Sequence, residues 1–127
     1  MKPEVLVVDD DMPLVRVLAL HFETEGYPVR VATNGREALA QVRLRRPVVM
    51  VLDAMMPGMS GVEVCRQVRE MEGGGDIRIV MLTANSQVEE SAKEAGADAF
   101  MTKPFSLQAL SAEVRRLIPE ASPASAE

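Results

Sequence analysis

The sequence predicts an α/β domain, with five parallel strands in one doubly wound sheet and helices on both of its faces. Short apolar runs rich in Val, Ile and Leu alternate with segments of helical period, which is the order that a parallel sheet requires. The runs are unbroken rather than alternating, as strands buried on both faces are. Length agrees, because 127 residues at 47% hydrophobic composition give one domain a real core and are too few for two.

Each element has its own justification. Residues 5–8 form an apolar run that ends on Asp9, Asp10 and Asp11; Asp11 then suits a helix N-cap, and Pro13 falls where the first helical turn tolerates proline. The helix sets Leu14, Val17, Leu18 and Phe22 on one stripe and stops at Gly26. After a strand over 29–32, Asn34 and Gly35 open a second helix that turns Ala38, Leu39 and Val42 inward and ends before Pro47. A strand over 48–52 leads to Asp53 and a Pro57-Gly58 turn, and a helix over 61–71 runs into the Gly73-Gly74-Gly75 break. A buried strand over 77–82, a helix over 86–95 stopped by Gly96, a short strand over 99–101 and a last helix over 106–118 complete the set. That last helix directs Leu107, Leu110, Val114 and Leu117 inward. The domain therefore spans 1–118. Residues 119–127, PEASPASAE, lack periodicity and are expected to be a disordered tail or the stub of a linker.

Composition excludes some functions. Fourteen Lys and Arg against nineteen Asp and Glu give a net charge of -5 with no basic block, so direct binding of nucleic acid is not expected. No apolar run approaches the ~20 residues of a membrane span, so membrane insertion is not expected either. A lone cysteine, Cys65, and a start without a charged-then-apolar leader suggest a reducing cytoplasm. Cys65 reads as a small apolar residue, and His21 as a partly buried structural histidine. Met55, Met56 and Met59 read as adaptable packing around the loop after Asp53.

The polar residues are more informative. In open parallel sheets, ligands bind outside the carboxyl ends of the strands. Asp9 and Asp10 end the first strand, Asp53 the third and Thr83 the fourth, while Lys103 closely follows the fifth. Carboxylates forced together raise one another's pKa and destabilise the fold unless a divalent cation sits among them. Carboxylate, main-chain carbonyl and water are the ligands Mg2+ prefers. An acidic Mg2+ pocket faced by one lysine and one hydroxyl suits phosphoryl transfer, in which metal and lysine neutralise the phosphoryl oxygens while a carboxylate attacks.

VLVVDDD, VLDAMMPGMSG, MLTAN and DAFMTKPF, in this order and spacing, resemble the receiver domain of two-component response regulators over about residues 4–118. The resemblance implies the flavodoxin-like receiver fold. It implies that Asp53 is the phosphoacceptor, taking its phosphoryl group from a phosphohistidine on a sensor histidine kinase or phosphotransfer protein. By the same resemblance Asp10 coordinates Mg2+ directly, Asp9 mainly through water, and Asp53 and the backbone carbonyl of Met55 complete the protein ligands. Thr83 is then the switch hydroxyl, Lys103 the cation that binds the phosphoryl group, Phe100 the aromatic that turns inward with the threonine, and Lys103-Pro104 a cis peptide bond. Met55 and Asn85 match the variable pair that tunes acyl-phosphate lifetime, and Ala54 leaves the pocket open. The domain would be a signalling switch, not an enzyme with external turnover, that catalyses its own phosphorylation and dephosphorylation. It would act on a downstream effector through the fourth helix, fifth strand and fifth helix.

Relatives fused to winged-helix domains carry a charged dimer pattern on that face. Here Ala99 and Glu113 depart from it while Asp98 and Arg115 fit, so the charge-locked dimer of those relatives is not expected; a stand-alone receiver, or one excised from a chain with a different effector, is expected instead, as a monomer or a phosphorylation-linked dimer. The alternative is a pseudo-receiver that binds partners without phosphorylation, against which the intact set of five polar residues argues. A phosphatase of the haloacid dehalogenase type would want a second acid where Met55 stands.

Overall fold

The structure, a computed structural model, describes residues 3–118; the tail expected at 119–127 lies outside the described residues. Five strands, β1 (Val5–Val8), β2 (Val29–Ala32), β3 (Val49–Asp53), β4 (Arg78–Thr83) and β5 (Ala99–Thr102), pair in parallel in the order β2-β1-β3-β4-β5. The helices α1 (Met12–Thr24), α2 (Gly35–Leu44), α3 (Gly61–Glu70), α4 (Glu89–Ala95) and α5 (Leu107–Leu117) follow the strands in turn. This is the doubly wound five-stranded parallel sheet that the sequence predicts. The chain leaves β1 toward one edge and returns through β3 toward the other, so strand order reverses between β1 and β3, where such sheets place ligands.

Successive side chains of a strand point to opposite faces, and this splits the apolar runs into two cores. Val5, Val7, Val49, Val51, Val80 and Leu82 pack with Val15, Leu18 and Phe22 of α1 and Leu110 and Val114 of α5. Leu6, Val8, Met50, Leu52, Ile79 and Met81 pack against α2, α3 and α4 through residues such as Leu39, Val64 and Ala92. Burying each such Val, Leu or Ile contributes about 2 kcal/mol before entropy is counted, enough in sum to hold a charged edge in place. Asp11, Asn34, Ser60 and Ser106 each cap a helix, their side-chain oxygens accepting from the N–H of the residue three positions on.

Two local expectations are corrected. In α1 the buried stripe is Val15, Leu18 and Phe22, and Val17 is 49% exposed. The run from Leu14 to Leu20 offers apolar residues on more than one helical face, and only the sheet beneath selects among them. The segment expected as one helix over 86–95 begins as a 3-10 turn at Ser86–Val88, leaving α4 only seven residues. In α5, Leu107, Leu110, Val114 and Leu117 all pack with the core as expected, and Ser111 is buried as well.

Candidate functional site

Pairing sets which strand ends meet. Val8 lies opposite Leu52, so Asp9 and Asp53 emerge side by side at the carboxyl edge. On the other side of β3 the ladder carries Thr83, and past β5 the N–H of Lys103 donates to the carbonyl of Thr83 at 2.7 Å, which holds the lysine beside the same edge. The Lys103-Pro104 bond is cis.

The carboxylates of Asp9, Asp10 and Asp53 each present an oxygen within 4.8 Å of the others. Asp9 and Asp53 are buried and Asp10 is exposed. Both oxygens of Asp9 are engaged: Oδ1 accepts from the N–H of Asp11 at 2.9 Å, and Oδ2 accepts from Lys103 Nζ at 2.9 Å. Lys103 Nζ lies 3.7 Å from Asp53 Oδ1, which also accepts from the N–H of Met55 at 3.3 Å. Burial, and then the negative charge of Asp9, push the Asp53 carboxyl up to about 6 against the opposing pull of Lys103. Burial works against the Lys103 ammonium, yet its hydrogen bond to Asp9 and the charges of Asp53 and Asp9 hold its pKa above the usual lysine value.

One ammonium among three carboxylates leaves surplus negative charge, and every donor is a hard oxygen. This set fits a divalent cation such as Mg2+, which takes carboxylates and keeps several waters. Zinc or copper would more often be held by nitrogen or sulfur.

Thr83 is wholly buried, and its Oγ1 accepts from the N–H of Asn85 at 3.1 Å. Phe100 is half-buried beside α4 and packs against the core under α2, α3 and α4. The Met55 side chain is 54% exposed on the loop after Asp53. The structure thus gathers Asp9, Asp10, Asp53, Thr83 and Lys103 at one edge. His21 lies away from that edge, between α1 and α5, where its Nε2 meets Ser111 Oγ at 2.6 Å and Glu25 at 3.6 Å. Cys65 is buried, and burial pushes its thiol up to about 11, which makes it a poor nucleophile.

Sequence reasoning took Gly61 only as the start of a helix. A Cβ there would stand 2.0 Å from the carbonyl oxygen of Asp53 and 2.8 Å from the Cα of Ala54. Its N–H donates to the carbonyl of Ala54 at 2.8 Å, and the N–H of Ala54 donates to Leu82 at 2.7 Å. Only glycine lets the first turn of α3 abut the strand end that carries Asp53. The available signal was a glycine directly after the capping Ser60, eight residues past the acid.

Residues 5–115 match the family model of the response regulator receiver domain. The chain is 42% identical over 125 residues to response regulator MprA of Mycolicibacterium vanbaalenii, covering 97% of this chain and 53% of that protein. It is 42% identical over 121 residues to response regulator MprA of Mycobacterium leprae, covering 94% and 52%. The chain therefore spans about half the length of the curated relatives it matches. Among solved structures, the chemotaxis protein CheY4 of Vibrio cholerae superposes with a TM-score of 0.87 at 31% identity, covering 92% of this chain and 99% of that one. The receiver domain of Francisella response regulator 1452 gives a TM-score of 0.86 at 29% identity, covering 95% and 100%.

Proposed function

This chain belongs to the response regulator receiver family of two-component systems, and on that premise we propose that it accepts a phosphoryl group on Asp53 from a phosphohistidine of a sensor histidine kinase or phosphotransfer protein. The observation that carries this reading is the placement of Asp53: a buried carboxylate on the last residue of a rigid central strand, with a cation at 3.7 Å and two further acids beside it. A nucleophile fixed in this way keeps its line of attack.

In the proposed reaction an Asp53 carboxylate oxygen attacks phosphorus, an O–P bond forms, and the P–N bond to the donor imidazole breaks with its electron pair returning to nitrogen. Lys103 stands ready to exchange its contact with Asp53 for one with the transferred phosphoryl oxygens. Asp10, Asp53 and the backbone carbonyl of Met55 would hold Mg2+, with Asp9 reaching it mainly through water, and the ion would supply positive charge to those oxygens. The engagement of both Asp9 oxygens inside the chain and the exposure of Asp10 support that division of labour. Thr83 and Phe100 are the switch, and α4, β5 and α5 are the output surface toward a downstream effector. The protein is a signalling switch acting in the cytoplasm, as a monomer or a phosphorylation-linked dimer. Among the described residues no helix is long and apolar enough to cross a membrane.

Intact mass after incubation with Mg2+ and phosphoramidate tests this. One added phosphoryl group that requires Mg2+ and is missing in Asp53→Ala is the expected result. No adduct, together with no response to beryllofluoride, would favour the phosphorylation-independent interaction module instead.

A further inference from the structure

The acidic pocket carries a cation of its own. Lys103 Nζ donates to Asp9 Oδ2 at 2.9 Å and stands 3.7 Å from Asp53 Oδ1, so one ammonium bridges two of the three carboxylates. Both ends of this bridge are held by the backbone. The N–H of Lys103 donates to the carbonyl of Thr83 at 2.7 Å, which ties the lysine to the end of β4. The other oxygen of Asp9 accepts from the N–H of Asp11.

An ion pair on the open surface contributes little, because water screens it. Here the carboxylates of Asp9 and Asp53 are buried, so water compensates their charge poorly and the ammonium takes that part. The three acids whose oxygens lie within 4.8 Å of one another, and which fit a divalent cation, are therefore already occupied in part. A second cation among them meets a like charge a few ångströms away, where partial exclusion of water makes repulsion strong. The Lys103 side chain is 24% exposed, which leaves it one open side.

We propose that Lys103 is a built-in competitor for the divalent cation: its ammonium occupies Asp9 and Asp53 in the resting chain, weakens the binding of Mg2+, and gives up Asp9 when the ion is bound. The inference rests on the phosphoacceptor reading of Asp53 and adds a control on that site. By linkage, the factor by which Lys103 weakens the ion is the factor by which the ion weakens the contact between Lys103 and Asp9. Without metal the pocket stays compensated and the lysine stays engaged. Only in the metal-loaded pocket is the ammonium released for the oxygens of an incoming phosphoryl group. A lysine that merely braced the pocket would act with the opposite sign, since its loss would loosen the carboxylates and weaken the ion.

Titration calorimetry of the full 127-residue chain with Mg2+, without any phosphodonor, tests this. Lys103→Met is expected to bind Mg2+ about tenfold or more tightly than the wild-type chain does. Lys93→Met removes the same charge from α4, where Lys93 pairs with Glu89 at 3.3 Å, and is expected to leave the affinity within about twofold. Without metal Lys103→Met leaves Asp9 buried and unpaired and loses stability, so Mg2+ should raise its melting temperature by more than that of wild type. In the wild-type chain itself, nitrogen-15 NMR should show the Lys103 ammonium exchanging its protons with water faster once Mg2+ saturates, and the Lys93 ammonium unchanged. An unchanged or weaker affinity in Lys103→Met, an equal gain in both variants, or a Lys103 ammonium whose exchange Mg2+ does not alter overturns the proposal. None of these outcomes touches the phosphoacceptor reading, whose failure would show instead as a missing Asp53 adduct beside a Lys103→Met chain that still binds Mg2+ more tightly.

Discussion

Replacing Gly61 by alanine tests whether the start of α3 sets the position of Asp53. The new Cβ would stand 2.0 Å from the Asp53 carbonyl oxygen, whereas ordinary contact begins at 3.4 Å, so helix and strand must separate by about 1.4 Å. The atoms it meets are backbone, of a strand paired on both sides, and cannot move aside as a flexible side chain would. Overpacking of this kind costs about 1 to 3 kcal/mol, and the strained hydrogen bond from Gly61 N–H to Ala54 adds about 1 kcal/mol. A shift on the order of 1 Å at a nucleophile costs about a hundredfold in rate. Denaturant unfolding should therefore show a loss of about 2 to 4 kcal/mol, and intact-mass kinetics with phosphoramidate a fall of about a hundredfold. A variant with the wild-type midpoint and the wild-type rate would refute the reasoning. A large loss of stability at an unchanged rate would refute its second half alone.

Three further outcomes are expected. Because the Asp53 carboxyl is pushed up to about 6 from 3.8, the folded state binds a proton more tightly than the unfolded chain does. Its contribution to stability is thus full below the unfolded pKa and is lost as pH rises through the folded one. Without divalent metal, stability should fall by up to about 3 kcal/mol between about pH 4 and about pH 6, and Asp53→Asn should flatten that slope; parallel slopes in unfolding titrations would count against it. Added Mg2+ should raise the melting temperature of the wild-type chain, by the equivalent of about 2.7 kcal/mol at a hundredfold excess over its dissociation constant, and Asp10→Ala should remove most of the effect. Calorimetry showing equal stabilisation of both would take Asp10 out of the metal site. Met55→Asn, at the half-exposed position two residues past Asp53, should change the acyl-phosphate decay rate, which loss of the phosphoryl mass with time would measure.

The acidic site was legible because strand ends are legible. An apolar run that stops at a charge marks its own carboxyl edge, and in a parallel sheet all such edges lie on one side, so Asp9, Asp10, Asp53, Thr83 and Lys103 could be assigned to one place from order alone. The roles proposed for them rest on the resemblance that the motifs carry. The helices were less transparent: nothing in the run from Leu14 to Leu20 says that Val15 faces inward and Val17 outward, because both choices satisfy a helical period. Polar groups buried on an apolar stripe, such as Ser111 under α5, follow no period at all and enter because His21 and Glu25 meet them there.

By itself, then, the sequence determined the sheet, the edge at which chemistry gathers and the residues gathered there, since these follow from local hydrophobicity and chain order. Tertiary structure alone decided three things: how close α3 comes to Asp53 at Gly61, how far burial and Asp9 shift the Asp53 carboxyl, and that the Lys103 ammonium lies closer to Asp9 than to Asp53. Each is a distance between segments far apart in the chain, fixed by the packing of helices on the sheet, and no local pattern encodes a distance of that kind.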